Sequence, residues 1–278
     1  MQFLIFGTIE HMKNQTRRHF LRRSSIGAVA IATSSSKLLA KEEGFIDLFD
    51  GKTLKGWHKN PQRIGHGTGG VWKAEDGCIT GEQDPPGSGN GGILLTDAKF
   101  GDFDLRLDIK PDWGVCSGLF LRSNNKGQCF QMMVDYHDGG NVGHIYGEGT
   151  GGFNTRPFDI DGKIIDGKLV GLKPKPKGEK PKINYSISSE KFCSLYKVND
   201  WNKVRVKCVG KHPKIITWIN GEKVCEFDAA SYSGSGFDRE KITQTLGTKG
   251  SIAVQVHGGG GWPKGAKCRW RNIRIKEL

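Results

Sequence analysis

A chain of 278 residues that is 36% hydrophobic and carries 41 glycines has enough apolar material for a large core, and its turns are frequent. Nothing in it reaches the apolar length of a membrane span, so no membrane anchor is expected. The formal charge of +13 suits a polyanion partner, yet much of it sits in two stretches, which argues against a nucleic-acid-binding face.

The first stretch is the N-terminus, where Lys13, Arg17, Arg18, Arg22, Arg23 and Lys37 oppose Glu10 alone. "TRRHFL" (16–21), more arginines and a short Ser/Ala-rich apolar run resemble a bacterial twin-arginine export signal. This implies a periplasmic or secreted protein, with Met12 as the natural start and cleavage after Ala40. Residues 1–40 are therefore set apart from the fold.

From Gly44 onward, short alternating runs are separated by Gly, Asp and Asn turns, with almost no helical periodicity. Strands are expected at 70–76, 78–82, 103–111, 118–123, 129–135, 202–210, 214–220, 222–227, 251–257 and 268–278. "EDGC" and "INGEK" supply the glycines that tight hairpins require. Ten short strands without helices predict an all-β fold, a two-sheet jelly-roll sandwich, as one domain over 44–278. Residues 147–200 read as a loop-rich insertion. It contains the second basic stretch, "KPKPKGEKPK" (173–182), whose alternating Pro and Lys predict an exposed extended loop. Seven cysteines, without C-x-x-C or metal-type spacing, read as buried small hydrophobes; Cys116 with Cys129 is the pair to test for a disulfide.

Parity sorts the faces. Leu105, Leu107 and Ile109, Leu119 and Leu121, Phe130, Met132 and Val134, and Ile252, Val254 and Val256 form the expected core. The opposite face mixes Arg122, Gln131, Asp135, Gln255 and His257 with Phe120, Met133 and Ala253. Apolar residues on a nominally wet face predict a concave surface sheltered by loops, where such a sandwich holds a ligand.

The blocks "FIDLFDGKTLKGW" (45–57), "VWKAEDGCITGE" (71–82), "GGILLTDAKFGDFDLRLDIK" (91–110), "SGLFLRS" (117–123), "DWNKVRVKCVG" (200–210), "ITWINGEKV" (216–224) and "GSIAVQVHGGG" with "WRNIRIKEL" follow in order. Together they resemble the bacterial 3-keto-disaccharide hydrolase domain, also described as 3-keto-glucoside lyase and 3-keto-2-hydroxyglucal hydratase. The resemblance covers nearly all of 44–278. It implies a concanavalin-like jelly roll and a carbohydrate partner. One strand departs from the family's Tyr-Glu-Val-Gln-Ile-x-Asp pattern: Gln131 stands for the glutamate and Met133 for the glutamine, while Asp135 remains. A glutamine takes up no proton, so if that glutamate is the family's base, this chain needs another.

A ketone at carbon 3 acidifies the hydrogen at carbon 2. A base can remove that hydrogen and expel the glycosidic oxygen, and water then adds to the enone. This chemistry needs a base, a positive or donor group for the enolate, and a proton donor for the leaving oxygen. Asp135 or His257 is the candidate base, Arg122 the enolate stabiliser, and Tyr146 or His144 the acid. Gln131 and Gln255 would orient hydroxyls, Trp113 would stack on the sugar, and Asp108 either joins the binding set or pairs with Arg122. Plainer roles remain open: His257 as a cap on "HGGGGWP" and His144 as a surface loop residue. No cofactor follows from the sequence; a divalent metal stays open on Asp135, His137, Asp138, His144 and Glu148, although their spacing fits no recognised motif. "GSGNGG" (87–92) lacks the strand and helix of a dinucleotide site. A retaining glycosidase's paired carboxylates, about 5 Å apart, are not evident in Asp104-Leu-Arg-Leu-Asp108. The alternative to an enzyme is a non-catalytic carbohydrate-binding jelly roll.

Overall fold

The structure is a computed structural model that describes residues 43–178 and 181–278. The expected export signal, with Met12 and the Ala40 cleavage point, lies outside these residues. The strands in chain order are β1 Ile46–Asp47, β2 Trp57–Lys59, β3 Val71–Glu75, β4 Cys78–Glu82, β5 Gly92–Thr96, β6 Phe103–Ile109, β7 Val115–Ser123, β8 Cys129–Tyr136 and β9 Val142–Glu148. They continue with β10 Phe158–Ile165, β11 Lys168–Pro176, β12 Tyr185–Ser186, β13 Asn202–Val209, β14 Lys214–Ile219, β15 Glu222–Asp228, β16 Ser251–Val256 and β17 Cys268–Glu277. Two short helices, α1 Ser189–Leu195 and α2 Arg239–Leu246, are capped by Ser188 and Asp238, whose side chains accept the Lys191 and Lys241 amides.

Antiparallel pairing builds two sheets and a hairpin. One sheet runs β12-β15-β14-β13-β6-β17-β4-β3, with β1 added on β17; the other runs β2-β5-β16-β7-β8-β9; β10 and β11 pair with each other. Leu94, Leu119, Leu121, Phe130, Met132, Val134, Ile252, Val254 and Val256 share one buried cluster with Leu105, Leu107, Ile109, Val204, Val206, Ile215 and Ile219 of the larger sheet. Strict alternation in each strand delivers these side chains to one face. Each such burial is worth about 1.5–3 kcal/mol, so the two faces are held together by their apolar stripes. The fold is the expected all-β sandwich.

Two stretches read as loops form strands. Residues 142–148 look like a polar, glycine-rich loop but form β9, because β8 offers an open edge and pairs Gln131 with Tyr146. The Lys/Pro run enters a strand, since Lys168–Pro176 pairs with Phe158–Ile165. Pro174 lies opposite Ile160, whose own N–H and C=O bond to Gly140 and Gly139 instead, so no proline donor is missed there. The cysteines are all free, so Cys116 and Cys129 form no bridge; Cys78, Cys129, Cys208, Cys225 and Cys268 are buried as small apolar groups.

Candidate active site

The outer face of the six-stranded sheet divides into two parts. Ile93, Leu95, Phe120, Cys129 and Ala253 form a second apolar cluster, closed over by Ile64 of the preceding loop. This half is packed shut. Beside it Gln131 and Gln255 form a buried polar floor. Gln131 Nε2 donates to the Ser117 carbonyl at 3.3 Å and to Gln255 Oε1 at 3.2 Å, and Gln255 Nε2 lies 3.1 Å from His66 Nε2. Gly118 makes room for this arrangement: a Cβ there would stand 2.3 Å from Gln131 Nε2. His66 Nε2 is also 3.4 Å from Glu148 Oε1, and its ring meets the His257 ring edge-on at 4.8 Å between centroids.

Further along β7 and β8 the floor opens into a cleft of about 340 Å³, lined by Trp113, Cys116, His137, Asp138, His257 and Trp262. Cys116 and Asp135 are direct partners across the two strands, and the thiol donates to Asp135 Oδ1 at 3.2 Å. The His257 amide donates to the Cys116 carbonyl, fixing the start of the glycine loop beside it. Gln83, fully buried, holds the same loop by donating to the His257 and Gly259 carbonyls.

Two histidines have their tautomer set by backbone. His257 Nδ1 lies against the Gly258 carbonyl, and His137 Nδ1 is 2.8 Å from the Asp138 carbonyl. A carbonyl can only accept, so each Nδ1 carries the proton and each Nε2 keeps its lone pair for a proton or a ligand. Burial raises the Asp135 carboxyl above its usual range, against the thiol bond and the neighbouring His137, His257 and Arg156. Burial also pushes the Cys116 thiol far up, with the negative charge of Asp135 adding to it. Tyr146 is raised by burial, then by Glu148 and Asp135, so its hydroxyl stays protonated.

Gln131, Asp135, Gln255 and His257 therefore share one face and one continuous run of neighbours. Tyr146 is on that side of the sheet, across from Gln131 on β9. Trp113 forms a cleft wall, steadied edge-on by Tyr136 at 4.9 Å between ring centroids. Three expected site residues are elsewhere. Arg122 is 1% exposed and is consumed by structure: it donates to the Gly101 carbonyl at 3.0 Å, the Gly210 carbonyl at 2.9 Å and Asp102 Oδ1 at 2.9 Å. The cause is an extra residue in β7, since Phe120 to Ser123 spans Ala253 to Ser251, and Arg122 takes φ +54° in that bulge. Asp108 lies on the other sheet and accepts from Arg271 Nε at 3.2 Å and Asn272 Nδ2 at 2.7 Å, so neither substrate nor Arg122 is its partner. His144 is fully buried against Phe158, with Nδ1 3.0 Å from Asn141 Oδ1 and Nε2 2.9 Å from Ser186 Oγ. Burial lowers it to about 3, so it is neutral at ordinary pH and is neither a cleft acid nor a surface residue.

Cys116 lines the cleft, and His66 and Glu148 border its floor, while Arg156, held by Asp159 and the Gly139 carbonyl, reaches the site only through its charge. Cys116 shares the parity of Gly118 and Phe120, which marked its face in the sequence. His66 comes from an aperiodic loop and gave no such signal. Of the acidic and imidazole groups considered for a metal, Asp135 and His137 remain together, and Cys116 joins them: their ligating atoms lie within 4.8 Å of one another. Asp138 instead accepts the Gly162 amide at 2.8 Å.

A model of the 3-keto-alpha-glucoside-1,2-lyase-like domain matches residues 44–276. A 3-keto-disaccharide hydrolase of Bacteroides thetaiotaomicron is 36% identical over 97 residues; the aligned stretch is 33% of this chain and spans only 31% of that relative. A crystal structure from Parabacteroides distasonis ATCC 8503, described as a candidate glycosyl hydrolase, superposes with a TM-score of 0.50 at 23% identity, covering 84% of this chain and 99% of that one. That likeness concerns the fold alone.

Proposed function

The chain belongs to the 3-keto-alpha-glucoside-1,2-lyase-like family, and from that premise we propose that it cleaves 3-keto-glycosides by elimination followed by hydration. The observation carrying this reading is that His257 and Cys116 line one open cleft, with Asp135 largely buried just behind them, bonded to the Cys116 thiol and within electrostatic reach of His257. His257 Nε2, with its lone pair free, removes the proton at carbon 2. The electron pair forms the enolate of the 3-ketone and then the carbon 1–carbon 2 double bond as the glycosidic oxygen departs. Tyr146, held protonated, gives that oxygen its proton. Water then gives its hydroxyl to carbon 1 and its proton back to Tyr146, while His257 returns the first proton to carbon 2, so the net change is hydrolysis.

Asp135 stabilises the imidazolium formed on His257. Arg156, which pairs with Asp159 at 3.4 Å and donates to the Gly139 carbonyl at 3.3 Å, replaces Arg122 as the nearby positive charge, acting on Asp135, Cys116 and Tyr146 through its field. Gln131 and Gln255 are buried and locked by each other and by His66, so rather than binding sugar hydroxyls they hold the strands beneath the cleft rigid. Trp113 and Trp262 wall the cleft with aromatic surface, which suits the apolar face of a pyranose. The test is aglycone release from a chromogenic 3-keto-glucoside by the purified protein, alongside the parent glucoside. Release from the keto sugar alone supports the proposal. Binding without release by the folded protein supports a carbohydrate-binding role instead.

The "TRRHFL" order also leads us to infer export by the twin-arginine route. A reporter fused behind residues 12–40 should leave the cytoplasm, and changing Arg17 and Arg18 to lysine should retain it; unchanged export would refute this.

A further inference from the structure

The geometry points to a divalent transition-metal site built by Cys116, Asp135 and His137 at the edge of the cleft. Their ligating sulfur, oxygen and nitrogen lie within 4.8 Å of one another. Ligands around a four-coordinate ion, each about 2.0–2.3 Å from it, are separated by somewhat less than that, so small side-chain rotations suffice. The three come from a rigid frame. Cys116 and Asp135 are paired across β7 and β8, and His137 follows Asp135 by two residues.

The histidine is prepared for the task. Its Nδ1–H is held by the Asp138 carbonyl at 2.8 Å, and Asp138 is itself fixed because its carboxylate accepts the Gly162 amide. Histidine metal ligands are typically oriented in this way, with one ring nitrogen anchored and the other free to coordinate. The ligand chemistry selects the ion class. A thiolate with an imidazole and a carboxylate suits zinc or cobalt far better than magnesium or calcium, which take oxygen ligands. Three protein ligands leave one position of a tetrahedral ion toward the cleft, the pattern of a reactive rather than a purely structural site.

Binding balances as an exchange. The thiol proton now shared with Asp135 leaves to solvent, the Cys116 thiolate takes the metal, and Asp135 turns its oxygen from that proton to the ion. The fourth position is where a substrate's keto oxygen would be polarised if the proposed sugar chemistry holds. The site itself stands on ligand geometry, and its test uses no sugar.

The test is titration of the untagged, metal-stripped full-length protein with Co²⁺, followed by absorption and equilibrium dialysis. One equivalent should bind, with an intense near-ultraviolet thiolate-to-cobalt band and visible bands of tetrahedral strength, and Zn²⁺ should displace it. Cys116→Ser should lose the thiolate band while its circular dichroism stays unchanged. His137→Ala should weaken Co²⁺ binding by about 10-fold or more. Cys193→Ser, half-exposed on α1, is the control and should keep the full spectrum. Absence of the thiolate band in folded wild-type protein, or its persistence in Cys116→Ser, would overturn the assignment while leaving the proposed sugar reaction to its own experiment.

Discussion

Cys116 and Asp135 face each other across neighbouring antiparallel strands, and the thiol donates to the carboxylate at 3.2 Å. That contact keeps a buried acid fixed beside His257. Asp135→Asn preserves shape and removes the charge that would stabilise the His257 imidazolium. Its kcat on a 3-keto-glucoside should fall about 10²-fold or more, with the circular dichroism spectrum unchanged. Full activity in the folded variant would remove Asp135 from the mechanism.

The proposed acid and base separate kinetically. His257→Gln should lower turnover about 10²–10⁴-fold for every leaving group, because proton abstraction precedes departure. Tyr146→Phe should cost most with poor leaving groups and little with nitrophenol, which departs without a proton. A leaving-group series measured on both variants checks this; equal losses throughout the Tyr146→Phe series would contradict its role.

Arg122 closes the end of the sandwich through the Gly101 and Gly210 carbonyls and Asp102. Arg122→Met leaves those acceptors without their donor and should cost about 3 kcal/mol of unfolding free energy in a urea titration. Its activity per folded molecule should stay near wild type. A large loss of activity without loss of stability would return Arg122 to the site.

His144 is buried neutral, lowered to about 3 from 6.5. Its folded value lies below its unfolded one, so the unfolded chain binds the extra proton between these limits. The associated stability is intact above pH 6.5 and declines as pH falls toward 3. Thermal melts of wild type and His144→Gln across this range should converge as the pH drops. A constant difference would show that His144 does not titrate in the unfolding equilibrium.

Gly118→Ala places a methyl group against Gln131, whose Nε2 would be 2.3 Å away. Displacing Gln131 breaks its contacts to Ser117 and Gln255 and should cost about 1–3 kcal/mol, together with raised KM. Wild-type KM and melting temperature would mean that the floor is not fixed as described.

The core and most of the sandwich were legible because alternation is a direct consequence of the pleat: Leu105, Leu107 and Ile109 had to share a face, and they do. The same rule placed Gln131 and Asp135 on the sheltered face. It failed at Arg122, where one inserted residue in β7 rotates the side chain out of register. It failed also at β9, where Gly143 and Gly147 hide a strand that exists because β8 needs a partner. His66 was invisible for a different reason. Its position depends on a loop folding back over the sheet, and no local periodicity encodes that. Cys116 was readable as a face but not as a ligand, because the Cys116–Asp135 pairing is a matter of register between strands.

The central claim is that this cleft removes the proton at carbon 2 of a 3-keto sugar. Proton NMR of a methyl 3-keto-glucoside in D₂O with catalytic amounts of the protein measures that step directly, whether or not the slow methoxide leaves. The account predicts rapid loss of the carbon 2 signal with wild type and only the uncatalysed rate with His257→Gln. A carbon 2 signal that persists with folded wild-type protein, or that disappears equally fast with His257→Gln, would contradict it.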